Sequence, residues 1–174
     1  MPDQSDPTDP GPAALLADEA DRRAICELKY RYLRCLDLKD WDGFADCFVP
    51  EATGAYAGLD FGDRAAIVTY MRDNMGPGLI SLHQVHNPEI GLRVDGDPDR
   101  ASGTWYLEDR VLVPAFDFVL EGAAFYDDRY VRTADGWRIA HTGYRRTFEL
   151  SYSTKDIPSW KLKLGTAYDG RAAI

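Results

Sequence analysis

The period of the hydrophobic pattern changes once, near Leu79, and that change decides the class of fold. Before it, apolar residues recur at helical spacing. Ile25, Leu28, Tyr32, Cys35 and Leu36 form one stripe in a stretch, 18–39, that holds no Gly or Pro. After it come four stretches rich in Val, Ile, Tyr, Trp and Thr, at 79–94, 100–114, 118–133 and 137–153. Turn sequences separate them, among them Asp95-Gly96-Asp97-Pro98-Asp99 and Ala134-Asp135-Gly136. Two shorter helices are expected in between. One spans 41–48 and is ended by Pro50; the other spans 63–74, with Asp63 as N-cap and Gly76-Pro77-Gly78 as the stop. Helices followed by long consecutive strands define an α+β chain with an antiparallel meander, its helices covering one face. A strongly bent sheet folded over the long helix would enclose a pocket.

Charge and composition narrow the function. The net charge is −9, from 20 basic and 29 acidic residues. Asp3, Asp6, Asp9, Asp18 and Glu19 all precede Arg22, the first basic residue, and four of the ten prolines fall in the first twelve positions. Residues 1–17 therefore read as a disordered acidic tail, 18–155 as one domain and 156–174 as a C-terminal extension. Nothing resembles the basic footprint of a nucleic-acid binder. No basic amphipathic stretch suits a membrane surface, and no apolar run approaches the roughly 18 residues of a span. The N-terminus lacks the basic and apolar segments of a secretory signal. Three cysteines (Cys26, Cys35, Cys47) suit no disulfide framework. A cytoplasmic protein with reduced thiols is the expectation.

Alternation along the strands exposes polar residues in apolar rows. Asp109 shares a face with Trp105, Leu107 and Val111. Arg146 shares a face with Ala140, Thr142, Tyr144, Phe148 and Leu150. Ser81, His83 and Val85 point one way; Leu82, Gln84 and His86 point the other. On the first helix Asp37 lies at the edge of the apolar face, in a flanking arc with Cys26, Tyr30 and Leu33. Buried charge is costly unless paired, so these residues suggest a polar pocket within an apolar shell. Read from the residues alone, Asp109 and Arg146 are equally a structural ion pair, and Tyr30 competes with Tyr32 as the functional tyrosine. The histidines His83, His86 and His141 lack zinc spacing, and neither a phosphate loop nor a Gly-x-Ser-x-Gly elbow is present. Cofactor-free and metal-free acid–base chemistry by Tyr, His and Asp is what remains.

These residues resemble a known family. The order of helices and meander is similar to the NTF2-like superfamily, which holds scytalone dehydratase, ketosteroid isomerase and the SnoaL-type polyketide cyclases. Within it the chain most resembles the bacterial bile acid 7α-dehydratases, from about Ile25 to Glu149. Tyr32-Leu33-Arg34-Cys35-Leu36-Asp37, followed by Lys39 and Trp41-Asp42, looks like that family's first-helix motif. Ser81-Leu82-His83-Gln84-Val85-His86-Asn87-Pro88-Glu89-Ile90 resembles its histidine strand, and Trp105-Tyr106-Leu107-Glu108-Asp109 its aspartate strand. Gly122-Ala123-Ala124-Phe125-Tyr126 and Thr142-Gly143-Tyr144-Arg145-Arg146 resemble its last two strands. The acidic tail, Val111 to Glu121 and His141 depart from the pattern.

The resemblance implies a cone of three N-terminal helices packed in a strongly bent antiparallel sheet. It implies a cofactor-independent dehydratase acting on a small, hydrophobic, hydroxylated and carbonyl-bearing polycyclic substrate, steroid or bile acid-like. The site would comprise Tyr32, Asp37, His83, Asp109 and Arg146. His83 would be the general base, and Asp109 would hold its tautomer. Tyr32 would donate a hydrogen bond to the developing oxyanion or a proton to the leaving hydroxyl. Asp37 and Arg146 would orient or tune Tyr32 and close the charge balance. Which end of the substrate His83 and Tyr32 each meet is left open by the sequence. An isomerase or cyclase of the same fold, and a non-catalytic binding or assembly module, are the alternatives. A homodimer or homotrimer is expected through the outer face of the sheet, to which Tyr106 and Tyr130 are assigned. Trp160, Leu162 and Leu164 of the extension are expected to cap the cavity or reach a neighbour.

Overall fold

The computed structural model describes residues 11–56 and 58–165. Helix α1 (Gly11–Leu38) runs for 28 residues. It starts earlier than expected, with Pro12 in its first turn, where a missing N–H is no loss. Residues 11–17 of the expected tail are thus helical; residues 1–10 lie outside the described residues. Helix α2 (Trp41–Ala45) is capped by Asp40, whose carboxylate accepts from the Gly43 amide at 3.0 Å. Strands β1 (Phe48–Tyr56) and β2 (Leu59–Phe61) come next. Helix α3 (Arg64–Asn74) follows, capped as expected by Asp63, which accepts from the Ala66 amide at 2.7 Å. The chain then forms β3 (Ile80–Leu92), β4 (Arg100–Val113), β5 (Phe118–Thr133) and β6 (Gly136–Ser153).

One curved, unclosed six-stranded sheet results, in the order β2-β1-β6-β5-β4-β3. Strands β3 to β6 are the expected meander. Three expectations change. Phe48 and Pro50 belong to a strand, not to a helix end. β1 runs parallel to β6, so the sheet is mixed rather than wholly antiparallel. The three helices are interleaved with β1 and β2 instead of preceding all strands. Pro50 is tolerated because it lies at a register shift between Phe48 and Thr53, where the ladder demands no N–H.

Three further shifts set which side chains point inward. On β3, Asn87 adopts φ 49° in an insertion between His86 and Glu89. The inward set is therefore Ser81, His83 and Val85, then Ile90 and Leu92. On β6 one extra residue falls between Ile139 and His141 and another at Thr147. The row inferred from alternation holds only for Thr142, Tyr144 and Arg146. Ala140 drops out at the first bulge, and Phe148 and Leu150 leave at the second, 53% and 56% exposed. Bulges of this kind bend a strand and increase its twist, so the same residues that spoil the alternation curve the sheet over α1.

The interior combines an aromatic cluster with a buried ion pair. Tyr32 packs on Phe44, Phe48 and Tyr126 with ring centroids 5.0, 5.7 and 6.3 Å apart. Lys29 and Asp128, both fully enclosed, meet at 2.8 Å. Tyr130 donates to the same carboxylate at 2.7 Å and accepts from the Trp105 indole at 3.0 Å. Tyr130 is thus an inner-face residue, 1% exposed, and not part of the outer surface with Tyr106. Removing one member of a buried pair leaves an unpaired charge in a dry interior. Asp128→Leu should lower the unfolding free energy by about 3–5 kcal/mol, and Lys29→Met added to it should recover most of that loss. Urea denaturation checks this; equal losses in the single and double variants would mean that charge is not the cause.

Candidate active site

The site is built where the C-terminal end of α1 crosses β3. β3 is an edge strand, so amides facing away from β4 have no sheet partner, and α1 covers them. Asp37, one residue before the helix end, uses this. Its Oδ2 accepts from the His83 backbone N–H at 2.9 Å. Its Oδ1 lies 2.7 Å from His83 Nδ1 and accepts from Ser81 Oγ at 2.8 Å. An ionised carboxylate only accepts, so Nδ1 carries the proton and a neutral ring presents Nε2 as a lone pair. Both side chains are mostly enclosed, His83 10% and Asp37 18% exposed.

Asp109 stands directly across from His83 in the β3–β4 register. It does not hold the imidazole. Arg146 Nη1 and Nη2 grip its two oxygens at 2.6 and 2.7 Å, and Arg146 Nε reaches Glu149 at 3.5 Å. Asp109 is nearly buried, and its carboxylate holds the guanidinium pKa above the ordinary arginine range. Gly122 makes room for the pair: a Cβ there would lie 2.5 Å from Arg146 Nη1 and 3.1 Å from Asp109 Oδ1.

The expected partnerships are therefore exchanged. Asp37, not Asp109, lies against His83 Nδ1. Arg146 holds Asp109 rather than Tyr32. The Tyr32 hydroxyl lies 3.0 Å from the Tyr56 hydroxyl, and Tyr32 is wholly enclosed. Burial pushes the phenols of Tyr32, Tyr56 and Tyr126 upward. Asp37, His83, Asp109 and Arg146 share one end of the inner face; Tyr32 belongs to the aromatic interior beside them. Tyr30, and not Tyr32, shares a groove of about 520 Å³ between α1 and β3 with Asp37 and His83, together with Leu33, Arg34 and Leu38.

Sequence reasoning passed over several residues. Tyr56 lies on the unforeseen β1. Gly122 acts by what it lacks. Ser81 and Lys39 were within reach, each two residues from a flagged neighbour, on the same strand face and at the helix end. His141, which departs from the family pattern, sits 2.7 Å from Thr53 Oγ1 and ties β1 to β6. Among the described residues no group of three or more His, Cys, Asp or Glu is arranged to hold a metal ion. No helix among them is long and apolar enough to cross a membrane.

With this geometry in view, the comparisons define the class. The SnoaL-like domain model matches residues 18–143, and the chain belongs to that family. An uncharacterized protein of Mycobacterium tuberculosis is 29% identical over 137 residues, covering 77% of this chain and 90% of the relative. The fold is similar to a putative scytalone dehydratase from Novosphingobium aromaticivorans (TM-score 0.71, 18% identity, 78% of this chain and 89% of that one). It is also similar to the hexachlorocyclohexane dehydrochlorinase LinA-type3 from Novosphingobium barchaimii (TM-score 0.70, 16% identity, 79% and 93%). At such identities the structural likeness speaks for the fold.

The close fit around Gly122 is testable. Gly122→Ala should force Arg146 from Asp109 and lower stability by about 1–3 kcal/mol, read by chemical denaturation. An unchanged midpoint would show that the guanidinium shifts at no cost.

Proposed function

We propose that the protein is a cofactor-independent lyase that eliminates water from a small hydroxylated, carbonyl-bearing polycyclic substrate, with His83 as general base. The observation that carries this reading is the 2.7 Å contact between Asp37 and His83 Nδ1. It fixes the tautomer that leaves Nε2 free to take a proton, and it places a carboxylate to stabilise the imidazolium that forms. A carbonyl conjugated with the reacting carbons acidifies the proton to be removed. The electron pair left behind moves into the conjugated system, and the hydroxyl departs as water once protonated. Structural neighbours named as a putative dehydratase and as a dehydrochlorinase support an elimination.

The carboxylates favour this over an isomerase or cyclase with an acidic side chain as base. Asp37 already accepts three hydrogen bonds, and Asp109 is held by both ends of a guanidinium. Neither has an uncommitted oxygen, whereas Nε2 of His83 has a lone pair. A charged pair, Asp109–Arg146, and a further carboxylate, Asp37, in one mostly enclosed region are also more than a pure assembly module needs, because burying each charge costs desolvation. Arg146 is neutralised by Asp109 and approached by Glu149, which suits an uncharged polycyclic body better than an anionic group.

Tyr32 is proposed as the acid that protonates the departing hydroxyl, provided that its hydroxyl exchanges Tyr56 for substrate. The assay is absorbance at longer wavelength as a 7α-hydroxy-4-en-3-one steroid gains a conjugated double bond, with no cofactor or metal added. His83→Ala should lose about 10²–10⁴-fold in turnover with the fold intact. Wild-type turnover in that variant would end the assignment. Tyr32→Phe should fall in the same range while Tyr56→Phe stays close to wild type; equal losses would make both tyrosines structural. The pH–rate profile should move in Asp37→Asn and much less in Asp109→Asn. The reverse order would return the tautomer-holding role to Asp109.

A further inference from the structure

Two polar side chains beside the dyad have no part in the chemistry above. Lys39 follows directly on α1 and takes a left-handed backbone conformation, φ 61°. Its amide reaches back to the Leu36 carbonyl at 3.3 Å, and the Asp40 amide to that of Cys35 at 2.9 Å, which closes the helix end. The turn sends the Lys39 side chain to β3, where Nζ donates to Ser81 Oγ at 3.0 Å. Ser81 in turn donates to Asp37 Oδ1, the oxygen that also receives His83 Nδ1–H. A continuous chain runs from Lys39 through Ser81 and Asp37 to His83. Its direction is forced: an ammonium only donates and a carboxylate only accepts. The hydroxyl between them must accept from one and donate to the other.

We propose that Lys39 is a positioning residue of the His83–Asp37 dyad, acting through Ser81 to hold the Asp37 carboxylate and to offset its charge. The proposal rests on His83 being the base of the reaction. It gives a reason for the left-handed turn at a non-glycine residue: without it the lysine would continue along the helix and miss Ser81. It also accounts for a half-buried lysine, whose pKa burial brings down to about 8 against the pull of Asp37. The other charged groups around His83 are Asp109 across the β3–β4 register, Arg146 on that carboxylate, and Arg34 of α1 in the groove. His86, which meets Glu108 at 3.4 Å, and Tyr30 of α1 line the same groove.

The experiment is an NMR titration of His83 in isotope-labelled, ligand-free protein, its signals separated from those of His86 and His141 by single substitutions. Lys39→Met removes a cation near the imidazole, so the His83 midpoint should rise by about half a unit to one unit. Ser81→Ala, which cuts the link, should also raise it. Lys39→Arg should restore the wild-type midpoint, and Lys39→Gln, which keeps a donor without the charge, should not. An unchanged midpoint in Lys39→Met, or in Lys39→Gln should the first variant fail to fold, overturns the proposal. A rise in Ser81→Ala alone also overturns it, because the serine would then act without the lysine. The titration needs no turnover. Full activity in His83→Ala would remove the functional reading and leave the titration result standing.

Discussion

A long helix can be covered around most of its circumference only if the sheet over it bends. In this protein the bend coincides with insertions in the strands: Asn87 on β3, and the extra residues near Ala140 and at Thr147 on β6. Each insertion curves the strand and resets the side-chain parity. The inward rows that result, Ser81-His83-Val85 on β3 and Thr142-Tyr144-Arg146 on β6, bring the polar residues to the inner face. Curvature and site therefore have one cause.

A bent sheet over a helix makes a dry interior, and a dry interior makes an unpartnered charge costly. The chain meets this with three local solutions. Lys29 and Asp128 pair within the tyrosine cluster. Asp109 and Arg146 pair in two parallel hydrogen bonds, over a glycine that leaves space for them. Asp37 uses the unpaired amide of an edge strand together with Ser81 and His83. Only the third leaves a ring nitrogen without a structural duty, and that is why the proposed chemistry is centred on it. The first two are ion pairs that compensate their charges locally, although Asp128 Oδ1 keeps no hydrogen-bond partner of its own.

The edge position of β3 has a second effect. An open strand edge is a liability, and here α1 covers it while leaving the groove that reaches Asp37 and His83 from outside. One helix thus shields the edge, contributes the carboxylate and, through the residue after its end, contributes the lysine that completes the hydrogen-bonded chain.

Much of this was legible in the residues. The change of period at Leu79 separates helical from strand territory, and the four meander strands lie close to where their composition puts them. Alternation flagged Asp109 and Arg146 as misplaced, and helical phase set Asp37 at the edge of the buried face. β1 was not legible, because Pro50 and Gly54 interrupt it and it is completed by pairing with β6, distant in sequence. With β1 went Tyr56, the partner of Tyr32. Nor could the sequence show which acid meets which base. A period of two says which side of a strand a residue occupies, and it fails at every inserted residue, as at Phe148 and Leu150. The sequence by itself determined the residue types and the faces that carry them. Tertiary structure decided the pairings, Asp37 with His83 and Asp109 with Arg146, because hydrogen bonds act over about 3 Å and only the packing of α1 on a bent sheet brings particular atoms that close.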